Sequence, residues 1–276
     1  MPTRLRIISE LARDHPGYDL ASDDATEKAV EALRAAENRH FWYLTRNRII
    51  LGRLRGLGLE HGARLIELGC GSGCVSAALA RAGYQVTGVE GHRPLLEVAA
   101  LRPEPLMLWL HDLARGADEL PERGFDAACL FDVIEHFDDP PAVVANAAAC
   151  VRPGGLVVGT VPALMWLWTG IDTRSGHRLR YTPATLRAHL QAVPGIDLVE
   201  VVPFNRVLVP LLWLKRLAVS RDGRTEDVIK GLAVPPAPLN ALLAALVRLE
   251  QGLAPVLDRT PLPGASLWFA ARKRSD

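Results

Sequence analysis

One stretch limits what this 276-residue chain can fold into: residues 64–82, RLIELGCGSGCVSAALARA. A short apolar run with a single acid, Glu67, leads straight into Gly69, Gly71 and Gly73. Such a run reads as a strand buried within a parallel sheet. Val75, Leu79 and Ala82 then share one face of a helix. A strand that turns into a helix over glycines leaves free backbone N–H groups at the helix N-terminus. No Cβ atoms block the approach of a ligand there.

The rest of the chain repeats that alternation. Strands are expected at 84–90, 106–110, 125–131, 156–162, 196–203 and 265–273. Helices fall between them, one of them opened by Asp139 ahead of Pro140 and one by Thr182 ahead of Pro183. RPGG at 152–155 reads as a turn. Alternating strands and helices predict an α/β fold, a doubly wound parallel sheet of seven strands. Residues 1–58 are expected to form an N-terminal cap, poorly packed over 1–22 and helical over 23–56. Residues 59–276 form the sheet domain, with a helical insertion at 204–264 before the last strand.

Charge and cysteine usage exclude some classes of function. The net charge is +1, from 32 basic and 31 acidic residues, so no strong field draws in nucleic acid. Cys70, Cys74, Cys129 and Cys150 have spacings that fit neither a disulfide framework nor a zinc site, and no metal site is read from the sequence. The first twenty residues lack the apolar core of a signal peptide, and no apolar run reaches the length of a membrane span. A soluble, cytoplasmic protein is the expectation.

The chemistry is expected at the carboxyl ends of the strands, near the point where strand order reverses. A dinucleotide fingerprint needs its third glycine where this chain has Cys74; here that glycine comes early, at Gly73. The stations that follow are Glu90 and Gly91, 21 and 22 residues after Gly69, then His111 and Asp112, then FDAACLFDVIEHF with Phe131 and Asp132, then VRPGG. Together with LIELGCGSG, this set resembles the class I S-adenosylmethionine (SAM) methyltransferases over residues 62–161, which have a Rossmann-like fold. The outer segments also resemble a bacterial subgroup acting on small molecules or on glycan- and lipid-linked precursors.

The resemblance implies SAM as cofactor. The loop of Gly69, Cys70, Gly71 and Gly73 would pass under its ribose and amino-acid portions, with Glu67 near the ammonium group. Glu90, followed by Gly91, would accept from the ribose hydroxyls. Asp112 beside His111 would accept from the adenine amino group, with Leu113 flanking the ring. Phe131 and Asp132 would line the methionine portion. The bland alternatives are a solvated strand-end acid at Glu90 and an N-cap at Asp112.

Methyl transfer from a sulfonium needs positioning more than activation, and a base only where the acceptor must lose a proton. Histidine suits that task near neutrality. His136 lies just past the fourth strand, His177 in GHRLRYT, and His40 at the head of the aromatic cluster Phe41, Trp42 and Tyr43. One of the three is expected to be the base for an oxygen acceptor, against a plain packing role for each. The helix at 205–219, apolar with basic ends, can lie on a membrane surface, cover a greasy acceptor, pair with another subunit, or simply be buried. The expected function is methyl transfer to a small-molecule or lipid-linked acceptor. A SAM-fold binding or scaffold protein without transfer activity is the alternative, and a nicotinamide oxidoreductase would need the missing glycine.

Overall fold

The computed structural model describes residues 3–9, 33–218 and 233–275. The first half of the helix expected at 25–40 therefore lies outside the described residues, as does most of the join at 220–238, and residues 33–37 are helical. In chain order the strands are β1 (Arg4–Ile7), β2 (Arg64–Leu68), β3 (Gln85–Glu90), β4 (Met107–Leu110), β5 (Phe125–Phe131), β6 (Val151–Pro162), β7 (Ile196–Phe204) and β8 (Ser266–Lys273). The helices of one turn or more used below are α1 (Phe41–Gly56), α2 (Cys74–Arg81), α3 (Arg93–Ala100), α4 (Pro140–Cys150), α5 (Gly170–Arg174), α6 (Pro183–Gln191), α7 (Val209–Ala218), α8 (Ala237–Gly252) and α9 (Ala254–Leu257).

The strands form one sheet in the order β1-β4-β3-β2-β5-β6-β8-β7, parallel except for β8, which runs antiparallel to both neighbours. The fold is thus Rossmann-like with a mixed sheet. It corrects the expected count: the sheet has eight strands, because Arg4–Ile7 pairs in parallel with β4 at one edge. All four residues of that strand are exposed. A short, arginine-bearing edge strand has no buried run to reveal it, and such charges also discourage edge-to-edge association.

The apolar strands sort cleanly onto two faces. On β2, Leu65 packs with Ile50, Leu54, Leu79 and Leu96, and Ile66 packs with Trp109, Phe125 and Val144 on the opposite face. That is the period of two expected of a pleated strand. Each of these fully buried side chains contributes about 1.5–3 kcal/mol. The RPGG turn is absorbed into β6 as an irregularity: Phe125 pairs with Val151, and the next register pair is Ala127 with Leu156.

Helix α1 packs on α2 and on α8. Asn240 of α8 clamps its start, accepting from the Phe41 backbone N–H (2.9 Å) and donating to the Arg39 carbonyl (2.9 Å). Helix α7 lies against the one-turn helix Met165–Leu167 that follows β6. Among the described residues, no helix is long and apolar enough to cross a membrane.

Candidate active site

The strand order reverses between β2 and β5, and the groups of interest collect at the carboxyl ends of β2, β3, β5 and β6. Gly69, Gly71 and Gly73 all have positive φ (77°, 54° and 72°), a backbone that L side chains rarely adopt. A Cβ on Gly69 would sit 2.7 Å from Val133 Cγ2, and one on Gly73 would sit 2.9 Å from the Ala99 Cβ. A Cβ on Gly71 would meet open space. The first and third glycines are therefore set by close packing as well as by conformation, and the middle one faces an opening. The Gly69 and Cys70 N–H groups both donate to the Val89 carbonyl (2.8 and 2.9 Å), which fixes the loop to the end of β3.

Glu90 is buried and grips the same loop. One carboxylate oxygen accepts from the Gly71 N–H (2.8 Å), and the other accepts from the His92 N–H (2.9 Å). Burial pushes its pKa up, and the backbone donors, Gly91 among them, pull against that. An ionised carboxylate has about four acceptor positions, so further hydroxyl donors can still be received. Glu67 faces α2 and accepts from the Ser76 hydroxyl. Burial raises its pKa to about 7, against the lowering effects of Ser76, Arg46 and Arg102.

His111 and Asp112 behave differently from each other. His111 is fully buried, with Nδ1 against the Ser9 hydroxyl (2.8 Å) and Nε2 against the Gly116 carbonyl (3.0 Å). Its ring therefore holds the N-terminal strand and the 116 loop. Asp112 caps the turn Leu113–Arg115, accepting from the Ala114 N–H (3.0 Å), with Leu113 half-buried beside it. The Phe131 ring is buried, stacked near Trp268 at 6.4 Å between centroids.

Asp132, at the tip of β5, has φ 55°, in the left-handed region that non-glycine residues seldom occupy. Its carboxylate accepts from the Thr160 hydroxyl (3.0 Å) and pairs with Arg46 of α1 (2.8 Å). From the sequence Arg46 reads either as a contact for a ligand carboxylate or as a solvated arginine; it is largely buried and ion-paired. Its Nε is buried with no hydrogen-bond partner among the described residues. A buried donor of that kind suits an anionic ligand group arriving beside Asp132.

Beyond β5 and β6 lies an imidazole pair. His136 and His177 are edge-to-face, with centroids 4.8 Å apart. Burial and the neighbouring His177 lower the His136 pKa to about 4. His177 Nδ1 meets Asp172 Oδ1 at 2.9 Å, and Arg180 holds the same carboxylate at 2.7 and 3.1 Å. Asp172 also accepts from the Thr169 backbone at the start of α5. These partners hold its carboxyl well below the ordinary range, outweighing desolvation. An ionised Asp172 is acceptor-only, so the His177 Nδ1 donates to it and the second ring nitrogen is left for another partner. Glu135, Asp172 and Arg180 are site residues that the sequence did not single out for a role. His40 stands apart: it is the N-cap of α1, with Nδ1 accepting from the Trp42 N–H (3.1 Å) and its ring stacked on Phe41.

A separate cavity of about 430 Å³ lies between α1, β7 and α8, and its walls include Arg53, Arg206, Glu250 and Asp258. None of the residues described above lines it.

A glycine loop under an acid-ended strand at the switch point, with ionisable groups at the neighbouring strand ends, defines the SAM-binding class of Rossmann-like folds. Comparisons with known proteins agree. A model of the methyltransferase domain family matches residues 22–198, and the chain belongs to that family. It is 31% identical over 160 residues to the ubiquinone biosynthesis O-methyltransferase of Paracidovorax citrulli, covering 56% of this chain and 60% of that one. It is 28% identical over 185 residues to the protein of the same description from Rhodopseudomonas palustris, covering 61% and 71%. The chain thus spans about three fifths of the first of these relatives. The fold is also that of phosphoethanolamine N-methyltransferase 2 of Haemonchus contortus in complex with SAM (TM-score 0.58, 19% identity, 93% of this chain and 59% of that one). A SAM-dependent methyltransferase from Archaeoglobus fulgidus shares it as well (TM-score 0.52, 16% identity, 82% and 94%).

Proposed function

We propose that this chain transfers a methyl group from SAM to an oxygen atom of a small, partly apolar acceptor. The observation that carries the reading is the His136–His177 pair, oriented through Asp172, at the same sheet edge as the glycine loop and Glu90. The names of the relatives, O-methyltransferases of ubiquinone biosynthesis, support oxygen as the target atom.

When bound, SAM supplies a methyl group already activated on a sulfonium. The chain's own residues then hold and shield. Glu90 takes the ribose hydroxyls, Gly71 leaves room for the backbone approach, and Asp112 takes the adenine amino group. The buried Nε of Arg46 offers a partner for the amino-acid carboxylate, and Glu67 one for the ammonium group. An oxygen acceptor must shed its proton, and the imidazole pair is placed on the acceptor side to favour that loss.

An apolar rim marks where the acceptor enters. Met165 and Trp166 are exposed after β6, and Leu211, Trp213 and Leu214 are exposed on α7, which lies against that turn. This rim suits a greasy or lipid-linked acceptor and a weak contact with a membrane surface through 205–219. Liposome co-sedimentation checks the membrane contact, and full recovery in the supernatant would count against it.

The test of function is turnover. His136→Gln and His177→Gln are expected to bind S-adenosylhomocysteine as the parent protein does and to lose at least about tenfold in methylation of a phenolic or hydroxylic acceptor. Unchanged turnover in both variants would remove the histidines from the reaction.

A further inference from the structure

The Glu135 backbone carbonyl accepts from the Arg178 N–H (2.7 Å), but no hydrogen bond among the described residues accounts for its carboxylate. The residue sits in the single turn Ile134–His136 after β5, is fully buried, and neither carboxylate oxygen has a hydrogen-bond partner among the described residues. A carboxylate left in that position is costly unless something neutralises it. The nearby arginines are committed elsewhere: Arg46 is paired with Asp132, and Arg180 with Asp172. What remains is one buried acid with no ion pair among the described residues, close to two imidazoles. One ligand atom each from Glu135, His136 and His177 lies within 4.8 Å of the others.

We propose that Glu135, His136 and His177 hold a divalent transition-metal cation of the zinc type, with Asp172 as the positioning residue behind His177. Two imidazoles and one carboxylate suit zinc or its neighbours in the first transition row, whereas magnesium and calcium favour oxygen-only sets. The Nδ1 contact from His177 to Asp172 is the outer-shell bond that a metal-binding histidine usually makes, and it leaves Nε2 for the ion. Ligand atoms each about 2.1 Å from one tetrahedral ion lie about 3.4 Å apart. Loading therefore draws the three groups inward by an ångström or so, a movement open to side-chain rotation. Three protein ligands leave a position open toward the acceptor side. An ion there lowers the pKa of an acceptor hydroxyl, whose proton leaves to solvent. That use of the ion rests on the methyl-transfer reading, but the ion site itself does not.

The whole chain, stripped with a chelator and dialysed, is titrated calorimetrically with Zn²⁺ and spectroscopically with Co²⁺, and separately with S-adenosylhomocysteine. One equivalent of each metal is expected, Co²⁺ giving the intense visible bands of a low-coordinate site. Glu135→Gln and His177→Gln are expected to weaken Zn²⁺ at least about 100-fold, and Asp172→Asn about 10–100-fold. Retained S-adenosylhomocysteine binding shows that a variant is folded. In the unmutated protein, Zn²⁺ is expected to protect His136 and His177 from diethyl pyrocarbonate, mapped by mass spectrometry. Lack of stoichiometric Zn²⁺ or Co²⁺ binding, equal binding in folded Glu135→Gln and His177→Gln, or failure to protect the two histidines overturns the proposal. Metal binding without S-adenosylhomocysteine binding would sink the methyl-transfer reading and leave the ion site standing; the opposite result would do the reverse.

Discussion

Gly69→Ala separates conformation from packing at the glycine loop. The new Cβ must adopt φ near 77° and would lie 2.7 Å from Val133 Cγ2 and 3.3 Å from Cγ1. The left-handed backbone costs about 1–2 kcal/mol and the overpacking about 1–3 kcal/mol, so about 2–5 kcal/mol in total is expected. Gly58→Ala is the control: its φ is 80°, but nothing lies within 4 Å of the added atom, so only the first cost applies. Val133 directly precedes the turn carrying Glu135 and His136, so the strain reaches both sides of the site. If about 2 kcal/mol of it falls on the loop's bound geometry, affinity for S-adenosylhomocysteine drops about thirtyfold. Urea unfolding and calorimetry measure the two effects. The double variant Gly69→Ala/Val133→Ala is expected to be more stable than the sum of the single changes by about 1–3 kcal/mol. Additive behaviour, or a Gly69→Ala cost no larger than that of Gly58→Ala, refutes the packing argument.

Three further outcomes follow from the same geometry. Because burial holds Glu67 near 7 while its unfolded pKa is about 4.3, the folded state keeps a proton that the unfolded state has lost. Stability therefore falls as pH rises from about 4 to 7, by at most about 4 kcal/mol from this group, and urea midpoints at pH 5 and 7.5 should converge in Glu67→Gln. Glu90→Ala should reduce S-adenosylhomocysteine affinity about 10–100-fold by calorimetry, given about 1.5–3 kcal/mol for each hydrogen bond to a charged group. Asp172→Ala leaves the Arg180 guanidinium largely buried and unpaired and should cost about 3–5 kcal/mol in urea unfolding.

Much of the sheet was legible because buried parallel strands are written as apolar runs. Ile66, Val89, Leu108 and Ala128 all fall in stretches that read as strand and are buried as strand. Arg4–Ile7 was not legible, since an exposed, charged edge strand has no burial to record. At the site, the glycines and strand-end acids could be found by spacing, because chain-local geometry sets where they fall. The groups that depend on distant partners could not. Asp172 matters through His177 and Arg180, and Glu135 through an imidazole forty-two positions on. His111 shows the converse: it stands at a strand end as a ligand contact would, yet both ring nitrogens are engaged within the protein. A position at a strand end says little about which way a side chain turns.

Titration of the purified, folded chain with S-adenosylhomocysteine in a calorimeter tests the central claim most directly. One binding site is predicted, sharply weakened by Glu90→Ala and indifferent to added NAD. No heat from the parent protein, or heat that Glu90→Ala leaves unchanged, would contradict the placement of the cofactor over the glycine loop.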